Sequence, residues 1–193
     1  SLRKLPRYGV VYIWDIMDFH SISYHEKIPE ELNPAWEVAE ARAHLRDWYY
    51  TFPKATVTLG NHDNLVWRIA RTAWLLREFI KDPNTIFEAP DTYEFVDEVV
   101  IDDVLYTHWS TSDAWKKCIL ENMNMVSWHA HTKCWVMYHQ NRHGQLWGMQ
   151  VWVGLDYNRQ AFDYAKVSSR YPVSACWVVL GWWQLPIVLP FNQ

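Results

Sequence analysis

The sequence predicts an α/β fold, and three observations carry that prediction. Short continuous apolar runs alternate with longer segments of helical signal. A helix start at Asn33-Pro34 separates two such runs, as in a βαβ unit. Polar residues collect directly after the runs, where parallel sheets hold their ligands: Asp15 follows YGVVYI, and Gly60-Asn61-His62-Asp63 follows ATVTL. The chain has 193 residues, half of them hydrophobic and 21% charged, which is enough apolar surface for a core. One domain spanning 1–193 is expected.

Taken in order, residues 8–13 form an unbroken apolar run, the pattern of a strand buried on both faces. Asn33 is a good N-cap and Pro34 suits the first helical position, so a helix should run to about Tyr50, with Trp36, Ala39, Ala43 and Tyr50 on its apolar face. Residues 55–59 read as the next strand and 65–80 as a helix. Residues 95–101 and 104–107 read as a hairpin turned at Asp102-Asp103, with His108 closing the second strand. A helix over 113–122, a short strand over 125–127 and a loop bearing His129-Ala-His131 follow. Apolar runs at 133–138, 145–153, 173–180 and 184–189 predict that the remainder is mostly β.

Composition narrows the function. A net charge of -4 gives no global basic field, which argues against a general nucleic-acid coating role. Cys118, Cys134 and Cys176 are odd in number and widely spaced, the signature of reduced thiols in a cytoplasmic protein and not of a disulfide framework or a thiolate zinc site. The stretch VSACWVVLGWWQLPIVLPF approaches the length of a membrane span, but Gln184, Pro186 and Pro190 interrupt it, so two buried strands and no membrane association are expected.

Tryptophan is anomalous: there are 14 Trp against 6 Gly, whereas Gly is ordinarily about 7% of residues. Trp182 and Trp183 follow Gly181 between two apolar runs, and Trp109 lies within His-Trp-Ser-Thr-Ser, places where turn chemistry favours Gly. Some of these positions read as glycine codons translated as Trp, as happens when a reassigned stop codon is decoded with the wrong table. A genuinely Trp-rich protein is the alternative.

Carboxylate, amide and imidazole after successive strands are suitable donors for borderline divalent cations. Asp15-Ile-Met-Asp18, Gly60-Asn-His-Asp63, the strand-ending His108 and His129-Ala-His131 fall in the order and spacing of the calcineurin-like metallophosphoesterases, and over roughly 10–190 the chain resembles phage-type members of that superfamily. Gly-Asn-His-Asp after a strand is the most specific piece. Two departures stand out. Trp14 and Trp128 occupy positions where the family pattern has Gly, and the family's first Asp-x-His motif is missing ahead of Asp15. Together with the lack of an initiating Met, this leads to the expectation of a chain truncated at its N-terminus.

The resemblance implies a four-layer sandwich of two mixed β-sheets flanked by helices, and a centre of two divalent ions, manganese, iron or zinc. Asp15, Asn61, His108, His129 and His131 would be the ligands, with Asp15 as the bridge and Asp18 supporting it from behind. It further implies hydrolysis of a phosphomonoester or phosphodiester, with a nucleotide or nucleic acid among the candidate substrates, by a metal-activated hydroxide. His62 would be the acid at the leaving oxygen and Asp63 would fix its orientation. His20 and His25 could line the substrate cleft near Asp15, with Arg142 and Lys133 as weaker candidates. His20, His25, His44, His139 and His143 otherwise read as surface or structural residues. A second class stays open: a metal-binding or structural module of the same fold whose chemistry is incomplete.

Overall fold

The computed structural model describes residues 9–13, 15–24, 29, 32–108, 114–128, 134–151, 175–180 and 185–190. The chain divides into two compact units, 1–96 and 97–193. Among the described residues it is an α/β structure with four α-helices, a three-stranded sheet, a five-stranded sheet and a two-stranded ribbon.

The first unit is built on the expected βαβ. Strand β1 (Val10–Tyr12) pairs in parallel with β2 (Ala55–Thr58), and β2 with β3 (Tyr93–Val96), in the order β1-β2-β3. Helix α1 (Pro34–Thr51) makes the first crossover. It begins where the sequence places it, with the Asn33 side chain accepting from the backbone N–H groups of Ala35 and Trp36. Its buried side differs from the expected one. Trp36 and Tyr50 are exposed, as are Ala39 and Ala43, while Val38, Ala41 and Leu45 pack on the core with Met17, Phe19, Leu65 and Phe87. The 3-4 spacing of three modest aliphatics defines that face, and two large aromatics outside it misdirect the reading. Strand β1 is half-buried and not fully enclosed.

Helix α2 is shorter than predicted, Leu65–Thr72 against 65–80. The Leu75 N–H donates to the Ala70 carbonyl (2.9 Å) and the Trp74 N–H to the Arg71 carbonyl (3.2 Å), with Trp74 in the left-handed region at φ 58°. That is a Schellman helix stop. A 3-10 turn (Arg77–Phe79) follows, then α3 (Pro83–Phe87), capped by the Asp82 side chain on the Thr85 N–H.

The predicted strand 95–101 splits in two. Tyr93–Val96 belongs to the first sheet, whereas β4 (Glu98–Ile101) belongs to the second unit. Strands β4 and β5 (Val104–Thr107) form the expected antiparallel hairpin, and Asp102 and Asp103 both have positive φ, as a type I′ turn requires. Helix α4 (Ala114–Glu121) leads to β6 (Asn124–Ser127), parallel to β5. Strands β7 (Trp135–Asn141) and β8 (Gly144–Gln150) complete the sheet in the order β4-β5-β6-β8-β7. Helix α4 lies so close on β8 that a Cβ at Gly148 would sit 2.8 Å from the Trp115 Cα. Leu105, Ala114, Cys118 and Met125 form the core beneath it. Strands β9 (Ala175–Leu180) and β10 (Leu185–Pro190) form the antiparallel ribbon, in place of a membrane span. No helix among the described residues is long and apolar enough to cross a membrane.

Candidate metal centre

In the first unit, parallel pairing brings the residues after β1 and β2 to the same edge of the sheet. The chain turns at 61–64 directly after β2, with the Asn64 N–H on the Gly60 carbonyl (3.0 Å) and the Leu65 N–H on the His62 carbonyl (2.9 Å), and enters α2. This tight turn brings Asp15, Asp18, Asn61, His62 and Asp63 into one neighbourhood, and four of them are locked together by hydrogen bonds.

Asp63 is the hub. It is buried, and its Oδ1 accepts from the backbone N–H groups of Ile16 (3.0 Å) and Met17 (3.4 Å), while its Oδ2 accepts from Gly60 (3.1 Å). One carboxylate therefore joins the loop after β1 to the loop after β2. Burial, reinforced by the nearby Asp15 charge, pushes the Asp63 carboxyl above its usual range, although the backbone donors pull the other way. Asp15 accepts the His62 backbone N–H at 2.9 Å. Burial raises Asp15 to about 6, against the pull of His62.

The imidazole of His62 is held by Asp18. Its Nδ1 lies 2.8 Å from Asp18 Oδ1 and 2.6 Å from the Asp18 carbonyl oxygen, so Nδ1–H is the donor of a forked bond. Burial opposes the charged ring but is outweighed by the Asp18 side chain, Asp15 and the Asp18 carbonyl, which together raise His62 to about 9. The imidazole is therefore protonated at neutral pH. This reassigns two carboxylates relative to the sequence reading. Asp18, and not Asp63, orients His62, and Asp63 holds backbone where Asp18 was expected to brace Asp15. Nothing in the residue order distinguishes the two roles, because the loop conformation over 15–18 decides which carboxylate reaches the ring.

In the second unit, His108 follows β5 as expected and is fully buried. Its ring meets that of Trp128 edge-on, with centroids 4.5 Å apart. His129 and His131 lie outside the described residues, as do His25, Lys133, Trp14 and Trp109. Among the described residues no group of three or more His, Cys, Asp or Glu side chains is arranged to hold a metal ion.

No family model, curated protein or solved structure matches this chain. The site is therefore judged on its own chemistry.

His20, read as a surface or structural residue that could line the cleft, is buried, and its backbone N–H donates to Glu37 on α1. Glu37 also accepts from the Ser21 N–H and hydroxyl, so one helix carboxylate secures the loop after the Asp15–Asp18 segment. The sequence reading missed Glu37, and only its place in the first turn of α1 marks it out. His44, Arg142 and His143 are exposed and His139 is half-buried. Cys118 is a buried free thiol, and Cys134 is half-buried.

Proposed function

We propose that the chain is a metal-dependent phosphoester hydrolase of the calcineurin-like metallophosphoesterase type, acting on a phosphomonoester or phosphodiester. The observation that carries the reading is the forked bond from His62 Nδ1 to Asp18, made in a Gly-Asn-His-Asp turn whose backbone is tied to Asp15. With Nδ1 engaged by Asp18, Nε2 would be the nitrogen that gives the proton. A ring raised to about 9 keeps a proton to give to a leaving oxygen. Asp18 acts through His62 as a positioning residue, and Asp63 fixes the two loops that carry Asp15 and Asn61.

The donor chemistry of the first unit fits divalent cations. Asp15 supplies carboxylate oxygens and Asn61 an amide oxygen. The raised carboxyl of Asp15 also shows that burial there is not balanced by positive charge, a deficit that a cation would make good. By the resemblance, the ligand candidates for two ions of manganese, iron or zinc are Asp15 and Asn61 in the first unit and His108, His129 and His131 in the second. When bound, such ions supply Lewis acidity at the phosphoryl oxygens and lower the pKa of coordinated water toward neutrality. The reading carries with it the superfamily's four-layer sandwich, a cytoplasmic setting and a nucleotide or nucleic acid as a candidate substrate.

One observation favours the second reading, a catalytically incomplete module. The Trp128 ring lies against His108, a proposed ligand with no exposed surface. The test is manganese-dependent hydrolysis of bis-p-nitrophenyl phosphate and p-nitrophenyl phosphate, alongside His62→Ala and Asn61→Ala. Turnover that falls by roughly 10²-fold or more in His62→Ala is expected for a lost general acid, and the preferred ester assigns the substrate class. Absence of turnover in the unmodified chain and again in Trp128→Gly would favour the module.

A further inference from the structure

We propose that position 74 is a glycine position occupied by tryptophan, one of the misread glycine codons that the composition signals. The inference stands on backbone geometry and goes beyond the phosphoesterase reading. Trp74 occupies the C′ slot of the α2 stop, the residue that must be left-handed for both closing bonds to form, Leu75 N–H to Ala70 and Trp74 N–H to Arg71. Glycine fills that slot most often because a Cβ is penalised at positive φ, and a bulky side chain there is an outlier unless something compensates.

Nothing compensates at Trp74, which is 92% exposed. The other described residues with positive φ show what compensation looks like. Phe19 is buried in the core, Asp102 and Asp103 make the hairpin turn, Asn122 is of a type that tolerates the left-handed region, and Glu88, exposed at the end of α3, is ion-paired with Arg42 at 2.9 Å. The end of α4 supplies the internal control. There the Met123 N–H donates to the Cys118 carbonyl (3.2 Å) and the Asn122 N–H to Ile119 (3.2 Å), with Asn122 at φ 51°. The ends of α2 and α4 thus share the same pair of closing bonds, one built with a residue suited to the slot and the other with the largest side chain available. An exposed indole in a left-handed slot, in a chain with 14 Trp and 6 Gly, is what a glycine codon read as Trp leaves behind.

Two measurements test this. Thermal unfolding of the full chain compares Trp74→Gly, Trp74→Asn and Trp74→Ala. Gly is expected to raise Tm by roughly 2–4 °C, Asn to recover part of that, and Ala to stay near the unmodified chain. A Gly variant no more stable than the Ala variant overturns the structural argument. Peptide mass spectrometry of the protein from its natural source then reads residue 74 directly: a peptide at the glycine mass supports the proposal, and one at the tryptophan mass overturns it. Neither result depends on phosphoesterase activity.

Discussion

The two units hold their strand-end residues by different means. After β1 and β2, Asp15 accepts from the His62 backbone, Asp18 holds the His62 ring, and Asp63 accepts from the backbones of Ile16, Met17 and Gly60. After β5, His108 is enclosed: it has no exposed surface and its ring lies edge-on against Trp128. Close by on β6 and β8, Ser127 Oγ and Gln150 Nε2 are buried with no hydrogen-bond partner among the described residues, and the two residues are register partners. The difference teaches that the loops of the first region are cross-linked by carboxylates, whereas in the second region tight enclosure surrounds the strand-end residue.

The sharpest way to break that contrast is Asp63→Ala. It leaves the Ile16, Met17 and Gly60 N–H groups without their acceptor, and at about 1–3 kcal/mol for each buried donor the loss should be roughly 3 kcal/mol or more. Urea unfolding measures it, with Asp63→Asn, which keeps one oxygen acceptor, expected to lose less. A cost under about 1 kcal/mol would mean that packing also holds the first region.

Asp18→Asn tests the charge within the same region, in the metal-free protein. Because the folded pKa of His62 is raised, its pairing stabilises fully below the unfolded value of about 6.5 and is lost as pH rises through about 9. The unmodified chain should therefore lose on the order of 1–2 kcal/mol across that window, discounted for the partial exposure of Asp18. In the Asn variant the decline should flatten, and an unchanged slope would remove Asp18 as the partner.

The smallest effect belongs to the second region. A buried hydroxyl that makes no bond contributes only its desolvation cost, so Ser127→Ala should leave stability within about 1 kcal/mol of the original or raise it. A larger loss in denaturant titration would show that the hydroxyl has a partner after all, and the second region would then resemble the first.

What was legible in the sequence follows from how local each signal is. Asn33-Pro34 announced α1 because capping is decided within four residues. The hairpin at Asp102-Asp103 and the placement of Gly60 to Asp63 after a strand were equally local. The same N-cap and proline signature at Asp82-Pro83 marks α3 and was overlooked because that helix has only five residues. The end of α2 was hidden for a different reason: the residue that would have announced it is Trp74, where a glycine would have read as a stop. The roles of Asp18 and Asp63 were out of reach because they depend on contacts across 44 to 47 positions of sequence.

The Asp63 carboxylate gathers amides from two separate loops, and that has a consequence in time. The N–H groups of Ile16, Met17 and Gly60 are shielded from solvent by one acceptor. In hydrogen–deuterium exchange they should not open independently, as loop amides usually do, but should report a single opening event. The loops bearing Asp15 and Asn61 then behave as one kinetic unit, which keeps two residues far apart in the chain in step on every excursion from the native state.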